Sequence, residues 1–483
     1  MLTLKASFSR MGQLVGAGSL VALLGLSMAS CESSTSQVPN DMGGVGAISV
    51  TSVSPAVAGM AGGTAVAIYG SGFVQGATVA FGNKPATEVT VLSSTKLQAV
   101  VPASDGTVGS VPVTVRNADG SFAVASGLFG YVRVVLDFDA ERISVGTHPV
   151  AVIAEDTNGD SGPEIITAND GSQDVSVLAW NVGYKNGVSY STPVGPNALA
   201  VADFNGNKIL DIAVTCNNAS SQDLAILSGN GGGGFMAPVT FAIGRNPTAV
   251  IARDLDGDGK HDVIVAPRTG DSVFVLRNIS VTPGFAFTSM ATYPLKAGSS
   301  PSGLLLEDLT GDVYPELVTA NYSDGSISTF LGGSGGVFSG PKHTVAGVQV
   351  LSLAAGDLNG DQKKDVAALN FATKTVTLLK GKSDGTFDAG ETIATEKDPR
   401  VVAIADIDGD GKLDLVVANG GADSVGIYLG NGSGGFDAAQ YVSTGATPYG
   451  MVVKDVNLDG KPDIVTANYN SSDVSILRNK TQR

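Results

Sequence analysis

Residues 254–262 read DLDGDGKHD, with four aspartates and two glycines in nine positions. Six other stretches follow the same plan: DTNGDSGPE from Asp156, DFNGNKILD from Asp203, DLTGDVYPE from Asp308, DLNGDQKKD from Asp357, DIDGDGKLD from Asp406 and DVNLDGKPD from Asp455. Their first aspartates lie 47, 51, 54, 49, 49 and 49 residues apart. A period near 50, in a chain without a sustained 3.6-residue apolar repeat, points to blades of four strands stacked into a propeller.

The residues around each loop share one grammar. A proline stands seven positions before the first aspartate in six of the seven copies: Pro149, Pro196, Pro247, Pro301, Pro399 and Pro448. An apolar run follows it (VAVIA, LAVA, LLLE), and a strand apolar on both faces is expected to be sandwiched between neighbouring blades. After the loop come a second strand (EIITAN, DVIVAP, DLVVAN) and a third (DVSVLAW, SVFVLR, DVSILR). A glycine-rich turn often leads to an outer strand opening on phenylalanine, as in GGFMAPVTF and GGFDAAQYV. The last copy stops after its third strand. Its missing partner stands before the first copy, where FDAERISVGTHP (Phe138–Pro149) parallels FDAAQYVSTGATP (Phe436–Pro448). Residues 136–146 are therefore expected to supply the fourth strand of the last blade, joining the chain ends and removing an open edge. The fold class expected is all-β: a seven-bladed β-propeller over residues 132–483, preceded by a small immunoglobulin-like β-sandwich.

Within each loop, oxygen-bearing side chains occupy positions 1, 3, 5 and 9, and glycine usually stands at 4. Calcium takes six to eight oxygens in irregular geometry, whereas soft or nitrogen-favouring metals find no thiolate or imidazole at these four positions. The candidate ligands are Asp156, Asn158, Asp160 and Glu164; Asp203, Asn205, Asn207 and Asp211; Asp254, Asp256, Asp258 and Asp262; Asp308, Thr310, Asp312 and Glu316; Asp357, Asn359, Asp361 and Asp365; Asp406, Asp408, Asp410 and Asp414; and Asp455, Asn457, Asp459 and Asp463. An EF-hand would need a glutamate at position 12 and flanking helices. Val265 and Val417 occupy that position in the third and sixth loops, and strands flank both, so the EF-hand reading fails. The pattern resembles the FG-GAP/VCBS repeats of calcium-bearing propeller blades, as in integrin α-subunits and bacterial surface proteins. That resemblance spans about residues 136–483 and implies up to seven Ca²⁺. The third and sixth loops, with four carboxylates each, are expected to bind most tightly; the second and fourth, with Asn205, Asn207 and Thr310, least. Together the loops hold 22 of the 45 acidic residues, so seven calcium ions would nearly cancel the net charge of −16. The competing reading is an acidic turn without metal, since Asp, Asn and Gly are ordinary turn formers.

Ahead of the repeats, VTSVSPAVAGMAGGTAVAIYGSGFVQGATVAFGNKPA alternates short strands with glycine turns. Ser54-Pro55, Gly62-Gly63 and Gly70-Ser71-Gly72-Phe73 make residues 47–131 resemble an IPT/TIG domain, an immunoglobulin-like module that serves as a spacer or a protein- or glycan-contacting unit. At the N-terminus, Lys5 and Arg10 precede an apolar stretch from Leu14 to Met28, too short to span a bilayer. It ends SMASC and resembles a bacterial lipobox, which implies a signal peptide over 1–30, lipid attachment at Cys31, and a polar, flexible tether over 31–46. The expected location is the bacterial cell envelope, anchored at the outer membrane and surface-exposed, or secreted. The membrane would be met by a lipid anchor alone.

The net charge of −16 argues against nucleic-acid binding. Cys31 and Cys216 are the two cysteines and lie in different parts of the chain, so no disulfide framework is expected. Cys216, in the apolar stretch IAVTC, is expected to be a buried free thiol. His148, His261 and His343 fall at unrelated repeat positions, and His261, beside Lys260, is expected to face solvent. Asn169, Asn321, Asn370, Asn419 and Asn468 each lie thirteen residues after an anchor aspartate. They could form a ring of amides on one face, although ending the second strand and shaping its turn is the favoured role. Trp180, Tyr322 and Tyr469 are the aromatic candidates for an exposed face. No catalytic constellation emerges, which favours a monomer binding a surface protein or glycan in adhesion or envelope assembly. A calcium-dependent polysaccharide lyase, signalled by basic or tyrosine residues converging on one face, and a structural spacer are the alternatives.

Overall fold

The computed structural model describes residues 48–60, 62–132, 134–185, 187–217, 223–243, 246–288 and 291–481. The signal segment, the tether and Cys31 lie outside the described residues. Among those described, no helix is long and apolar enough to cross a membrane.

Two sheets pack face to face over residues 49–132. One pairs Ser49–Ser54, Ala65–Ser71, Lys96–Val100 and Thr87–Ser93 in that order; the other pairs Val57–Gly59, Phe122–Val132, Gly109–Arg116, Thr78–Phe81 and Lys84–Pro85. Strand alternation sends Val66, Ile68 and Leu97 from one sheet against Phe81, Val113, Val115 and Phe129 from the other. Gly70 is required by contact, because a Cβ there would lie 1.8 Å from the carbonyl oxygen of Ser49 on the paired strand.

Residues 138–479 form seven four-stranded antiparallel sheets among the described residues. Their inner strands are Pro149–Glu155, Pro196–Ala202, Pro247–Arg253, Pro301–Glu307, Val350–Gly356, Pro399–Ala405 and Pro448–Lys454. Each packs beside the next, and Pro448–Lys454 returns to Pro149–Glu155, so the inner strands form a closed cycle. The apolar cores follow the same cycle. Ile166 and Val177 of the first sheet pack with Ile212 and Val214 of the second, around the buried Cys216. Val465 and Ile476 of the seventh sheet pack back onto Val152 and Ile165 of the first. Each sheet thus has its two faces in two different cores, and none is complete alone.

The fully buried strand is the second of each sheet, not the inner one. Glu164–Asn169, Asp262–Pro267 and Asp414–Asn419 are buried at every residue. The inner strands are only half-buried, as in Pro149–Glu155, because they also border a central channel. The expectation that the inner strand would be sandwiched therefore holds for its neighbour instead.

The seventh sheet draws its outer strand from the other end of the repeat region. Phe138–Ser144 pairs antiparallel with Asp473–Asn479, from Phe138 opposite Asn479 to Ser144 opposite Asp473. Arg142 forks onto Asp473, and Glu141–Arg478 and Asp139–Lys480 pair at 2.8 Å each. Ile143 and Val145 pack into the core between the seventh and first sheets. Leu136 and Phe138 pack into the core between the sixth and seventh.

Candidate functional site

Two features stand at opposite ends of the inner strands: the acidic loops where these strands end, and a channel mouth where they begin. In every loop, position 9 is the first residue of the second strand and is buried. Its carboxylate accepts the backbone N–H of position 2 at 2.7–3.3 Å. In six sheets it also accepts an N–H from the end of the third strand, at Gly229, Asn278, Gly332, Gly381, Gly430 or Asn479, at 2.7–3.4 Å. Glu164, Asp211, Asp262, Glu316, Asp365, Asp414 and Asp463 therefore staple loop to sheet. Burial pushes the carboxyl groups of Asp211, Asp262, Glu316, Asp365 and Asp463 up, and that of Asp414 up to about 6, against the lowering effect of these N–H donors.

Position 1 accepts from the N–H groups of positions 4 and 6, as Asp254 does from Gly257 at 2.8 Å and Gly259 at 2.9 Å. Asp156, Asp203, Asp308 and Asp357 repeat both contacts. Asp406 and Asp455 accept from position 6. These bonds need left-handed backbone at positions 4 and 6, found in all seven loops. Glycine fills most of these sites, but Val313 holds φ +74° and Leu458 φ +61°. A β-branched residue there costs about 1–2 kcal/mol. Val313 is 80% exposed, so Val313→Gly removes strain and little packing. It is expected to raise thermal stability by about 1 kcal/mol after glycine's added chain entropy. A melting temperature unchanged or lowered would contradict this.

The loops differ in how their carboxylates gather. One carboxylate oxygen each of Asp254, Asp256 and Asp258 lies within 4.8 Å of the others, and the same holds for Asp406, Asp408 and Asp414. No other loop brings three carboxylates this close among the described residues. In the third loop, Asp262 instead receives Arg277 Nη1 at 2.6 Å, which also stands 3.9 Å from Asp256. In the sixth, Asp410 pairs with Lys412 at 3.2 Å. Elsewhere a position-3 amide bonds a carboxylate of its own loop: Asn158 reaches Glu164 and Asp160, Asn359 reaches Asp365, and Asn457 reaches Asp459. Asp312 and Asp361 each take the N–H two residues on, as Asn205 and Asn207 do. Thr310 contacts Glu316 at 3.2–3.5 Å. Hard, oxygen-only donors gather from positions 1, 3 and 5 in the third loop and from positions 1, 3 and 9 in the sixth, and such a set suits a calcium ion.

The mouth is built at the other end of the inner strands. The residue before each inner strand has left-handed φ, from His148 through Gly195, Asn246, Ser300, Gln349 and Asp398 to Thr447. The ladder then shifts register across the second residue of every inner strand. Such a bulge re-aims a side chain. The seven residues concerned are Val150, Asn197, Thr248, Ser302, Leu351, Arg400 and Tyr449, and all line one cavity of about 310 Å³. Asn197, Thr248 and Ser302 tie each inner strand to the next by bonds to the carbonyls of Pro247 (3.0 Å), Pro301 (3.2 Å) and Val350 (2.8 Å). Arg400 lies over the Phe371 and Tyr449 rings, at 5.0 and 4.6 Å. Arg268 lies over Tyr322 at 4.3 Å. Tyr469 stacks on His148 at 4.5 Å and leans on Tyr449 at 5.6 Å.

A family model of the FG-GAP-like repeat matches residues 203–265, 308–368, 357–417 and 406–466, and one of the IPT/TIG domain matches residues 49–131. This chain carries FG-GAP-like repeats behind an IPT/TIG domain. No curated protein sequence matches it significantly. Among solved structures, it is similar to BBS1N in complex with ARL6DN, at 13% identity and TM-score 0.52 over 72% of this chain and 98% of the other, a likeness of fold. It is also similar to an auxiliary nutrient binding protein from Bacteroides thetaiotaomicron (12% identity, TM-score 0.44, 90% and 98% covered) and to an Agrocybe aegerita lectin (15%, 0.45, 83% and 99%).

Within the FG-GAP-like repeats, several sequence candidates find other roles. Asn169, Asn321, Asn370, Asn419 and Asn468 are buried, not a ring of free amides, and bond within their own sheets, as Asn169 does to Ser176 at 2.9 Å. His261 is half-buried and not fully solvent-facing: its Nδ1 is shielded and has no hydrogen-bond partner. Position 8 holds Pro163, Leu210, Pro315, Leu413 and Pro462 in five of the six other loops, with Lys364 in the remaining one, a sign in the sequence that this site tends to pack inward. Trp180 packs over Gly162 of the first loop, away from the mouth. The bulge residues went unread because they differ in every repeat. Their common offset from the inner-strand proline was the available signal.

Proposed function

We propose that the FG-GAP-like repeats form a seven-bladed propeller whose acidic loops hold calcium for structure, and that the protein binds a glycan or surface protein at its channel mouth. The single observation that carries the binding reading is the mouth itself. There, seven positions that could have held one repeated residue instead hold seven different residues, aliphatic, amide, hydroxyl, guanidinium and phenol, around one cavity. The loops, by contrast, keep the same chemistry throughout, which suits a structural ion. The setting we infer is the bacterial envelope, with Cys31 lipidated and the IPT/TIG module as a spacer between anchor and propeller.

A second reading, a calcium-dependent polysaccharide-cleaving enzyme, is favoured by one observation: His148, Tyr449 and Tyr469 meet Arg268 and Arg400 on one face. A screen of the protein against polysaccharides and envelope proteins, with and without calcium, separates the two. Binding without turnover is expected. Release of unsaturated sugars would select the enzyme, and no binding to any class would leave the spacer.

A further inference from the structure

The mouth carries two arginines whose charges the protein does not balance. Among the described residues, neither Arg268 nor Arg400 has an ion-pair partner, although the chain's net charge is −16. Arg400 Nε is buried without any hydrogen-bond partner. Both arginines line the 310 Å³ cavity, whose lining holds no acidic residue. Arg268 also lines an adjoining cavity of about 360 Å³ with Tyr449, Tyr469, Asn197, Asn217 and Asn246, where Asp170 is the one carboxylate.

An unpaired guanidinium in a recess is costly, and a ring beneath its plane relieves the cost only in part. Stacking also orders the group. With one plane held against a ring, the N–H edge remains to donate two parallel bonds to a carboxylate. The acidic loops cannot serve, because they stand at the far end of the inner strands. Each strand has seven residues, a length of about 20 Å at some 3.3 Å per residue.

We propose that the channel mouth binds the carboxylate of an acidic saccharide, a uronate, through Arg268 and Arg400, with the Tyr449 and Tyr469 rings against the sugar. This rests on the binding reading above and names its ligand class. A saccharide fits better than an acidic peptide because the remaining wall, Asp170 apart, is neutral. Asn217, Asn246 and Ser302 offer amides and a hydroxyl suited to sugar hydroxyls, and no further cation awaits a second peptide carboxylate.

The test is calorimetric titration of the full chain, in calcium, with trisaccharides of galacturonate, mannuronate or glucuronate, with neutral galactotriose, and with triglutamate. At least one uronate is expected to bind, with galactotriose at least tenfold weaker. Arg268→Gln and Arg400→Gln should each weaken uronate binding at least tenfold while melting within a few degrees of the parent. Arg400→Lys should not restore it, because an ammonium lacks the fork. Asp170→Asn should strengthen binding two- to threefold, a change that a merely structural role for the mouth would not produce. Unchanged uronate affinity in both arginine variants overturns the proposal, as does triglutamate binding more tightly than every uronate. Equal binding of galactotriose overturns the acidic class but leaves the glycan reading standing. No binding across the panel overturns the proposal alone, since the wider screen of envelope proteins decides the broader reading.

Discussion

Deleting residues 132–146 is expected to lower the melting temperature of the repeat region by at least about 10 °C. The deletion removes the outer strand of the seventh sheet and the seven-residue ladder along Asp473–Asn479. It withdraws Ile143 and Val145 from one inter-sheet core and Leu136 and Phe138 from the next. At roughly 1–1.5 kcal/mol for each partly buried side chain, the apolar loss alone is about 5 kcal/mol. Arg142 and Glu141 leave Asp473 and Arg478 without their partners. For a large domain, about 2–4 °C per kcal/mol turns this into a shift of 10–20 °C. The exposed edge of Asp473–Asn479 should also promote association between molecules, visible as a concentration-dependent sedimentation profile. If the truncated protein melts with the parent, the two chain ends are not what holds the ring shut.

Removing calcium is the second large effect expected of the proposed function. Each site filled at a hundred times its dissociation constant adds about 2.7 kcal/mol, so the third and sixth loops together would contribute some 5 kcal/mol. Excess chelator should therefore lower the melting temperature by about 10 °C, and calcium, not magnesium, should restore it. Asp408→Asn with Asp406→Asn should abolish more of the calcium response than Asn205→Ala with Asn207→Ala.

Acidity gives an independent check. Burial holds the carboxyls of Asp211, Asp262, Glu316, Asp365, Asp414 and Asp463 above their usual range, Asp414 at about 6 against 3.8. The folded state thus binds these protons more tightly than the unfolded chain. Protonation favours folding, and stability falls as pH rises from about 4 through about 6. Bound calcium would hold the same groups ionised and oppose that loss. The chelator-induced drop should accordingly be larger at pH 7.5 than at pH 5. A drop independent of pH would separate the calcium effect from these carboxylates, and no drop at all would remove calcium from the account.

Much of the fold is local chemistry and was legible as such. The loop aspartates and glycines satisfy their own backbone within nine residues, so the pattern that marks them in the sequence is the pattern that folds them. The second strands carry apolar residues on both faces and are buried throughout, a property that the apolar runs suggested for the inner strands instead. Burial of the inner strand was misjudged because a channel-lining strand and a sandwiched one carry similar apolar runs. His261 is half-buried where its neighbour Lys260 suggested full exposure, because the packing of position 8 depends on the sheet behind it.

The sequence by itself determined the repeat, its four strands and the acidic turn, because each is decided by residues within one period of about 50. Only the tertiary structure decided the mouth. Arg400 meets Phe371 and Tyr449, and Arg268 meets Tyr322, across gaps of 29 to 54 residues. Those meetings exist because the inner strands close into a ring: a bulge turns Arg400 and Tyr449 toward its axis, while Arg268, Tyr322 and Phe371 follow the ends of second strands. DLDGDGKHD reads the same wherever it stands, whereas a guanidinium becomes a binding group only when the fold gives it a ring to lie on and takes its counter-charges away.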